Sequence, residues 1–328
     1  MNGKILIIID NKIVKLWSRL GPRAVYGQFL LNMAKKNKKL IAISSDLGRS
    51  SGLGAFSKEL PDQFFNVGIA EQNLIGISSG LARQKFNVFA STFAPFASLR
   101  ASEQVRMNMG YMQEPVKLIA LASGFALGFL GNSHFGIEDI AVMRAIPGIT
   151  IISPADCTEL YKCLIKIEQL PKPVYIRLTG GSGMPIVYEK DYDYQIGKAI
   201  VVKPIKKINV ISHGTTVGQA LKAIENLEDL STKVGLVNMH TIKPLDKEII
   251  KKLLENTEYL LVFEEHTLIG GLGSAILELI NDEKIHSKCK IYRYGVKDNF
   301  PKTGNYNFII NNLELDAEGI KATIKKFI

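Results

Sequence analysis

Cysteine is scarce in this chain: Cys157, Cys163 and Cys289 are the only three in 328 residues. Their odd number, without any metal-ligand spacing, argues against a disulfide framework and a zinc site, so all three read as reduced and structural. Long hydrophobic runs are also missing. The apolar stretch at 4–10, Lys4-Ile5-Leu6-Ile7-Ile8-Ile9-Asp10, is too short to span a bilayer and has no cleavage site of small residues. A cytoplasmic location, with no membrane contact, is the default expectation. No Walker sequence occurs, and Gly270-Gly271-Leu272-Gly273 is not a full dinucleotide fingerprint, which argues for a close helix-packing site and against a nucleotide-binding flavoprotein. The net charge of +10 does not imply nucleic acid. Its lysines fall in scattered pairs such as Lys35-Lys36, Lys206-Lys207 and Lys325-Lys326, without the interleaved aromatics of a base-stacking surface. They read as solvated faces that could help steer anionic substrates.

What is present is an ordinary globular balance of 46% hydrophobic and 22% charged residues, in a chain long enough for two buried cores. Short β-branched runs alternate with stretches of helical periodicity, the pattern of a parallel sheet covered by helices. Strands are expected at 39–44, 87–91, 116–121, 150–152 and 174–177, and helices at 72–84, 95–109, 137–145 and 156–170. Continuous apolar runs such as Val116-Lys117-Leu118-Ile119-Ala120-Leu121 imply strands buried on both faces. Gly180-Gly181-Ser182-Gly183-Met184-Pro185 breaks the rhythm, and a second αβ series begins at Asn209-Val210-Ile211-Ser212. The expected fold class is therefore α/β with two doubly wound domains, 1–190 and a smaller 191–328. The placement of residues 1–20 is open, with Trp17 as a docking residue.

The most informative run is Asn66-Val67-Gly68-Ile69-Ala70-Glu71-Gln72-Asn73. It carries a lone carboxylate on Gly and small apolar residues at the mouth of a helix. A desolvated carboxylate there can share a proton with a bound base. That is the task set by thiamine diphosphate, whose aminopyrimidine must be protonated before the thiazolium can lose a proton. Glu71 is a candidate for that acid. The alternative is a helix N-terminal Glu that simply favours the dipole.

Taken together, Ser45-Asp46-Leu47, the Glu71 run, Thr92-Phe93-Ala94-Pro95-Phe96, the segment 131–139, Arg144-Ala145-Ile146-Pro147-Gly148, Ser153-Pro154-Ala155-Asp156 and Glu264-Glu265-His266 with its following glycines resemble the C-terminal half of transketolase. The version resembled is the enzyme split into two subunits, and the similarity runs over 23–319. It implies a pyrimidine-binding domain followed by the transketolase C-terminal domain. It also implies thiamine diphosphate with Mg²⁺, and transfer of a two-carbon ketol unit between sugars. On this resemblance Glu71 activates the cofactor, while Phe93, Phe96 and Asp46 line its ring site. Three apart after a strand, the two phenylalanines can face one pocket and stack on a planar ring. His134 is implied to lie near the sugar oxygens, where an imidazole can donate to a developing alkoxide. Arg177 is implied to grip a sugar phosphate, with Arg23 and Ser50 as further substrate contacts. Glu264, Glu265 and His266 read as structural or interface residues.

Two departures from the family pattern matter. No Gly-Asp-Gly occurs, the element that with a downstream Asn holds Mg²⁺ and the diphosphate. A separate N-terminal subunit carrying that site is therefore expected, most simply in an α₂β₂ assembly, and no metal ligand is assigned to this chain. The second departure is Gly128-Phe129-Leu130-Gly131-Asn132-Ser133-His134, which lacks the Asp that recognises the donor's hydroxyl, so the donor is left open. Two other readings stand beside this one: a decarboxylating relative of the deoxyxylulose phosphate synthase or 2-oxo acid dehydrogenase beta kind, and a noncatalytic assembly subunit.

Overall fold

The computed structural model describes residues 7–328, so the start of the apolar stretch at 4–10 lies outside the described residues. Twelve strands among these residues form two sheets. In chain order they are β1 (Leu40–Ser44), β2 (Phe64–Asn66), β3 (Asn87–Phe93), β4 (Lys117–Ser123), β5 (Thr150–Ile152), β6 (Val174–Thr179), β7 (Ile200–Lys203), β8 (Ile208–Ser212), β9 (Val234–Asn238), β10 (Thr241–Lys243), β11 (Tyr259–Thr267) and β12 (Lys290–Val296). The first sheet has the order β10-β5-β6-β4-β3-β1-β2 and the second β12-β11-β8-β9-β7. Both are parallel apart from an antiparallel strand at one edge, β10 on β5 and β7 on β9. The chain is thus α/β, as its alternation of elements required. Every residue of β4 and β6 is buried, because helices cover both faces of the sheet.

One expectation needed revision, and two features were not anticipated or had been left open. The single helix at 95–109 is a broken one, with wide π turns at Phe96–Arg100 and Val105–Tyr111 around a short α segment at Ser102–Gln104. The first sheet borrows β10 from the second half of the chain, a pairing that ties the halves together. Residues Asn11–Leu20 form an amphipathic helix capped by Asp10, whose carboxylate accepts from the Lys12 and Ile13 amides. Its buried Trp17 rests on Tyr161 with ring centroids 4.8 Å apart.

The helix Glu71–Arg83 fixes the position of the candidate acid. Leu74, Ile75, Ser78, Ser79 and Ala82 repeat at three- and four-residue spacing and face the core. The opposite face, Gln72, Asn73, Gly76, Ile77 and Gly80, is exposed. Such a helix places its first residue at the carboxyl edge of the parallel sheet, the edge at which open α/β sheets bind ligands.

Candidate active site

Glu71 is the first residue of its helix, and its side chain is 4% exposed. The chain reaches it through Gly68, whose φ of +74° is costly for any other residue, and an added Cβ there would find no atom within 4 Å. One charge compensates the Glu71 carboxylate: Arg100 Nη1 is 2.9 Å from Glu71 Oε1. The same guanidinium stands over Phe96, its Cζ 3.9 Å from the ring centroid, a cation–π contact.

Phe96 in turn belongs to a cluster of three rings. Its centroid is 6.0 Å from that of Phe93 and 5.4 Å from that of His134, while Phe93 and His134 are 6.1 Å apart. All three rings are half-buried. Phe93 ends β3 and Phe96 opens the first π turn, so the wide turn sets their mutual angle. His134 is carried by a loop closed at its neck by paired backbone bonds between Gly124 and Gly136, 2.8 and 2.9 Å. Below the neck Phe125 and Phe135 pack edge to face at 5.0 Å, and Glu265 accepts from the Phe125 amide at 2.6 Å. Gly124, at φ +61°, is required because a side chain there would collide with the Glu265 carboxylate. His134 Nδ1 is 3.0 Å from the Ser133 hydroxyl. The fold therefore gathers Glu71, Phe93, Phe96 and His134 through Arg100, a residue the sequence reading missed. Its signal was available: Arg100 lies four residues after Phe96, on the same side of a helical turn, and is the one cation in 93–105.

Asp46 lies just beyond β1, in the left-handed region at φ 56°, where a short polar side chain is tolerated. It is exposed and bonded to Asn66 at the end of β2: its amide donates to Asn66 Oδ1 at 3.0 Å, and its Oδ1 accepts from Asn66 Nδ2 at 3.2 Å. Arg23 and Ser50 meet, the Arg23 Nη1 donating to the Ser50 carbonyl at 3.2 Å. Both are partly exposed.

Arg177, which the resemblance implied to grip a sugar phosphate, is buried: its side chain is 1% exposed and each guanidinium nitrogen donates a hydrogen bond within the fold. Nε donates to Asp139 Oδ1 and Oδ2 at 3.1 and 3.0 Å, Nη1 to Thr179 Oγ1 at 3.1 Å, and Nη2 to the Gly136 and Glu265 carbonyls at 3.0 and 2.7 Å. Four of the five guanidinium N–H groups are thereby engaged within the fold, and a buried cation paired in this way holds structure together. Tyr175, two residues earlier on the same strand face, donates to Asp139 Oδ2 at 2.8 Å.

Glu264, Glu265 and His266 are buried residues of β11, next to this ion pair: the Glu265 carbonyl accepts from Arg177, and His266 Nε2 is 3.8 Å from Asp139 Oδ1. At the Gly270–Gly273 stretch, read from sequence as a close helix-packing site, Glu264 accepts from the amides of Leu272 and Gly273 at 2.7 and 3.0 Å. Burial alone would push the Glu264 carboxyl up, but His213, His266 and the Gly273 amide hold it below the usual range. Burial pushes Glu265 up despite Arg177 and its hydrogen bonds, and pushes His213 down. The three cysteines are free thiols; Cys163 and Cys289 are pushed up by burial to about 12 and about 11, which leaves them inert at neutral pH. Among the described residues no cluster of His, Cys, Asp and Glu is arranged to hold a metal ion, and no helix is long and apolar enough to cross a membrane.

Two family models match the chain: the transketolase pyrimidine binding domain over residues 20–183 and the transketolase C-terminal domain over 197–320. The putative transketolase C-terminal section of Methanocaldococcus jannaschii is 37% identical over 306 residues, covering 93% of this chain and 95% of that protein. One of the subunits of the apulose-4-phosphate transketolase of Phocaeicola vulgatus is 35% identical, covering 93% of this chain and 97% of that protein. A solved split-gene transketolase, described as an inactive beta4 tetramer, superposes with a TM-score of 0.82 at 34% identity, covering 94% of this chain and 97% of that one.

Proposed function

Because this chain belongs to the transketolase family, we propose that it is the C-terminal subunit of a two-subunit, thiamine-diphosphate-dependent transferase that moves a two-carbon ketol unit between sugars. The observation that carries this reading is the convergence of a buried carboxylate with two phenyl rings and an imidazole at one sheet edge. These residues fit the ring end of the cofactor. Phe93 and Phe96 would hold its aminopyrimidine, with Asp46 at the edge. When bound, thiamine diphosphate supplies the carbanion that attacks a ketose carbonyl.

This chain's own residues then have defined tasks. Glu71, anchored at a helix start and shielded from water, holds a proton at the pyrimidine edge. His134, on its pinned loop, donates to or accepts from the sugar oxygens. Arg23 and Ser50, partly exposed, contact substrate. Arg177 keeps the sheet edge in register and takes no part in substrate binding.

The diphosphate and Mg²⁺ belong, in this proposal, to a separate subunit with a Gly-Asp-Gly site, and the assembly is α₂β₂ in the cytoplasm. The exposed face of the Glu71 helix supports a partner there. Gly76 and Gly80 stand on it one turn apart with nothing within 4 Å, beside Gln72, Asn73 and a partly exposed Ile77, a surface another helix could approach closely. The inactivity ascribed to the beta4 relative agrees with a chain that needs a second subunit. The division near residue 190 is proposed from the break between β6, ending at Thr179, and β7, beginning at Ile200. A modified or phosphorylated sugar is the proposed substrate class, by analogy with the apulose-4-phosphate relative.

The test is reconstitution. Thiamine-diphosphate-dependent transfer between ketose and aldose phosphates should appear only when this chain is mixed with its diphosphate-binding partner, without release of carbon dioxide. Turnover by this chain alone contradicts the split-site reading, and gas release from pyruvate would favour a decarboxylating relative.

A further inference from the structure

We propose that Arg100 is a positioning residue that keeps the ring site made: its guanidinium lies on Phe96 and against Glu71 in the place the aminopyrimidine is to take, and leaves when the ring arrives. The inference rests on the reading of this site as the ring end of thiamine diphosphate. Arg100 Nη1 is 2.9 Å from Glu71 Oε1, and its Cζ is 3.9 Å from the Phe96 centroid. A guanidinium is planar, stacks on aromatic faces and donates in its own plane. An aminopyrimidine bound to the same residues needs the same two contacts, a face on a phenyl ring and an edge against the carboxylate. One planar group meets both demands at a time.

The geometry also says which group moves. Glu71 is 4% exposed and fixed in the first turn of its helix, whereas the Arg100 side chain is 47% exposed. The Arg100 backbone is tethered, its carbonyl accepting from Gln72 Nε2 at 3.3 Å, so only the side chain has to turn toward solvent. In the empty site Arg100 prevents an uncompensated buried carboxylate, which would otherwise be costly. That stabilisation belongs to the cofactor-free state alone. It therefore lowers the apparent affinity for the cofactor, as does any equilibrium that populates a state unable to bind.

The experiment uses the assembled two-subunit enzyme and measures the Kd of thiamine diphosphate by calorimetry at saturating Mg²⁺. Arg100→Met and Arg100→Gln are expected to bind about 3- to 10-fold tighter than wild type. Arg100→Lys, which keeps the charge but not the planar stack, should fall between. The gain should shrink in a Glu71→Gln background, where the ion pair no longer exists. Crystals of the wild-type assembly should show Arg100 over Phe96 without the cofactor and turned away with it, which decides the matter even where a variant fails to assemble. Unchanged or weaker binding in both variants, or an Arg100 that stays on Phe96 in both crystals, overturns the inference. A wild-type assembly that takes up no thiamine diphosphate at all overturns the underlying reading of the site and this inference with it.

Discussion

Asp139 and Arg177 form an ion pair at 3.0 Å in which neither side chain is more than 1% exposed. Removing one partner strands the other charge among buried groups, so Arg177→Met is expected to lower the unfolding free energy by about 3–5 kcal/mol. Denaturant midpoints of the chain check this. A residue that gripped substrate would instead leave the midpoint in place and raise KM.

Gly76 and Gly80 separate the stability of the chain from that of the assembly. Both stand in the interior of the Glu71–Arg83 helix with an open surface beyond them. Replacing an exposed helical glycine by a good helix former should stabilise the isolated chain by up to about 1 kcal/mol. Gly76→Leu should do so while weakening association with the partner subunit at least about tenfold, because the added bulk holds the facing helix away. Sedimentation of mixed subunits reads the second effect; a variant that associates as well as wild type removes this face from the interface.

Stability should fall as pH rises through neutrality, for a local reason. Burial pushes the Asp156 and Glu159 carboxyls each up to about 7, from ordinary values of 3.8 and 4.5. Both folded values lie above the unfolded ones, so the folded chain holds more protons between about pH 4 and 7. The resulting stabilisation is complete below about pH 4 and is lost as pH climbs through 7. Glu159→Gln should flatten that decline relative to wild type, the difference reaching about 3 kcal/mol between pH 4.5 and 8. A difference between the two proteins that does not change with pH contradicts it.

The ring site yields a prediction about Phe96. It touches Phe93, His134 and Arg100, and is proposed to stack on the cofactor ring. Phe96→Ala should weaken thiamine diphosphate binding about tenfold in the assembled enzyme, since stacking on an aromatic face contributes about 1–3 kcal/mol and part of that is offset by losing the Arg100 contact. Equilibrium dialysis is sufficient; unaltered affinity would place the ring elsewhere.

Much of this was legible in the sequence where signals are local. The strands at 39–44, 116–121 and 150–152 stood out as apolar runs, and each was found within two residues of its expected ends. Glu71 was named from its place at a helix mouth, and Phe93, Phe96 and His134 mainly from the resemblance to the family's motifs; the fold brings the four close together. The π turns at 96–100 and 105–111 were not legible, since one extra residue per turn leaves the apolar periodicity of 95–109 nearly intact. The burial of Arg177 was not legible, because the strand itself does not announce that Asp139, 38 residues earlier, pairs with it at the carboxyl edge where ligands bind in such sheets. The pairing of β10 with β5, across about 90 residues, leaves no mark in three residues of sequence.

The central claim is that the Glu71 carboxylate drives ionisation of the cofactor, and the exchange rate of the thiazolium C2 proton tests it most directly. In the assembled enzyme loaded with thiamine diphosphate, Glu71→Gln should slow exchange with deuterated water by about 10²- to 10⁴-fold while cofactor remains bound. Exchange at the wild-type rate in that variant would contradict the account.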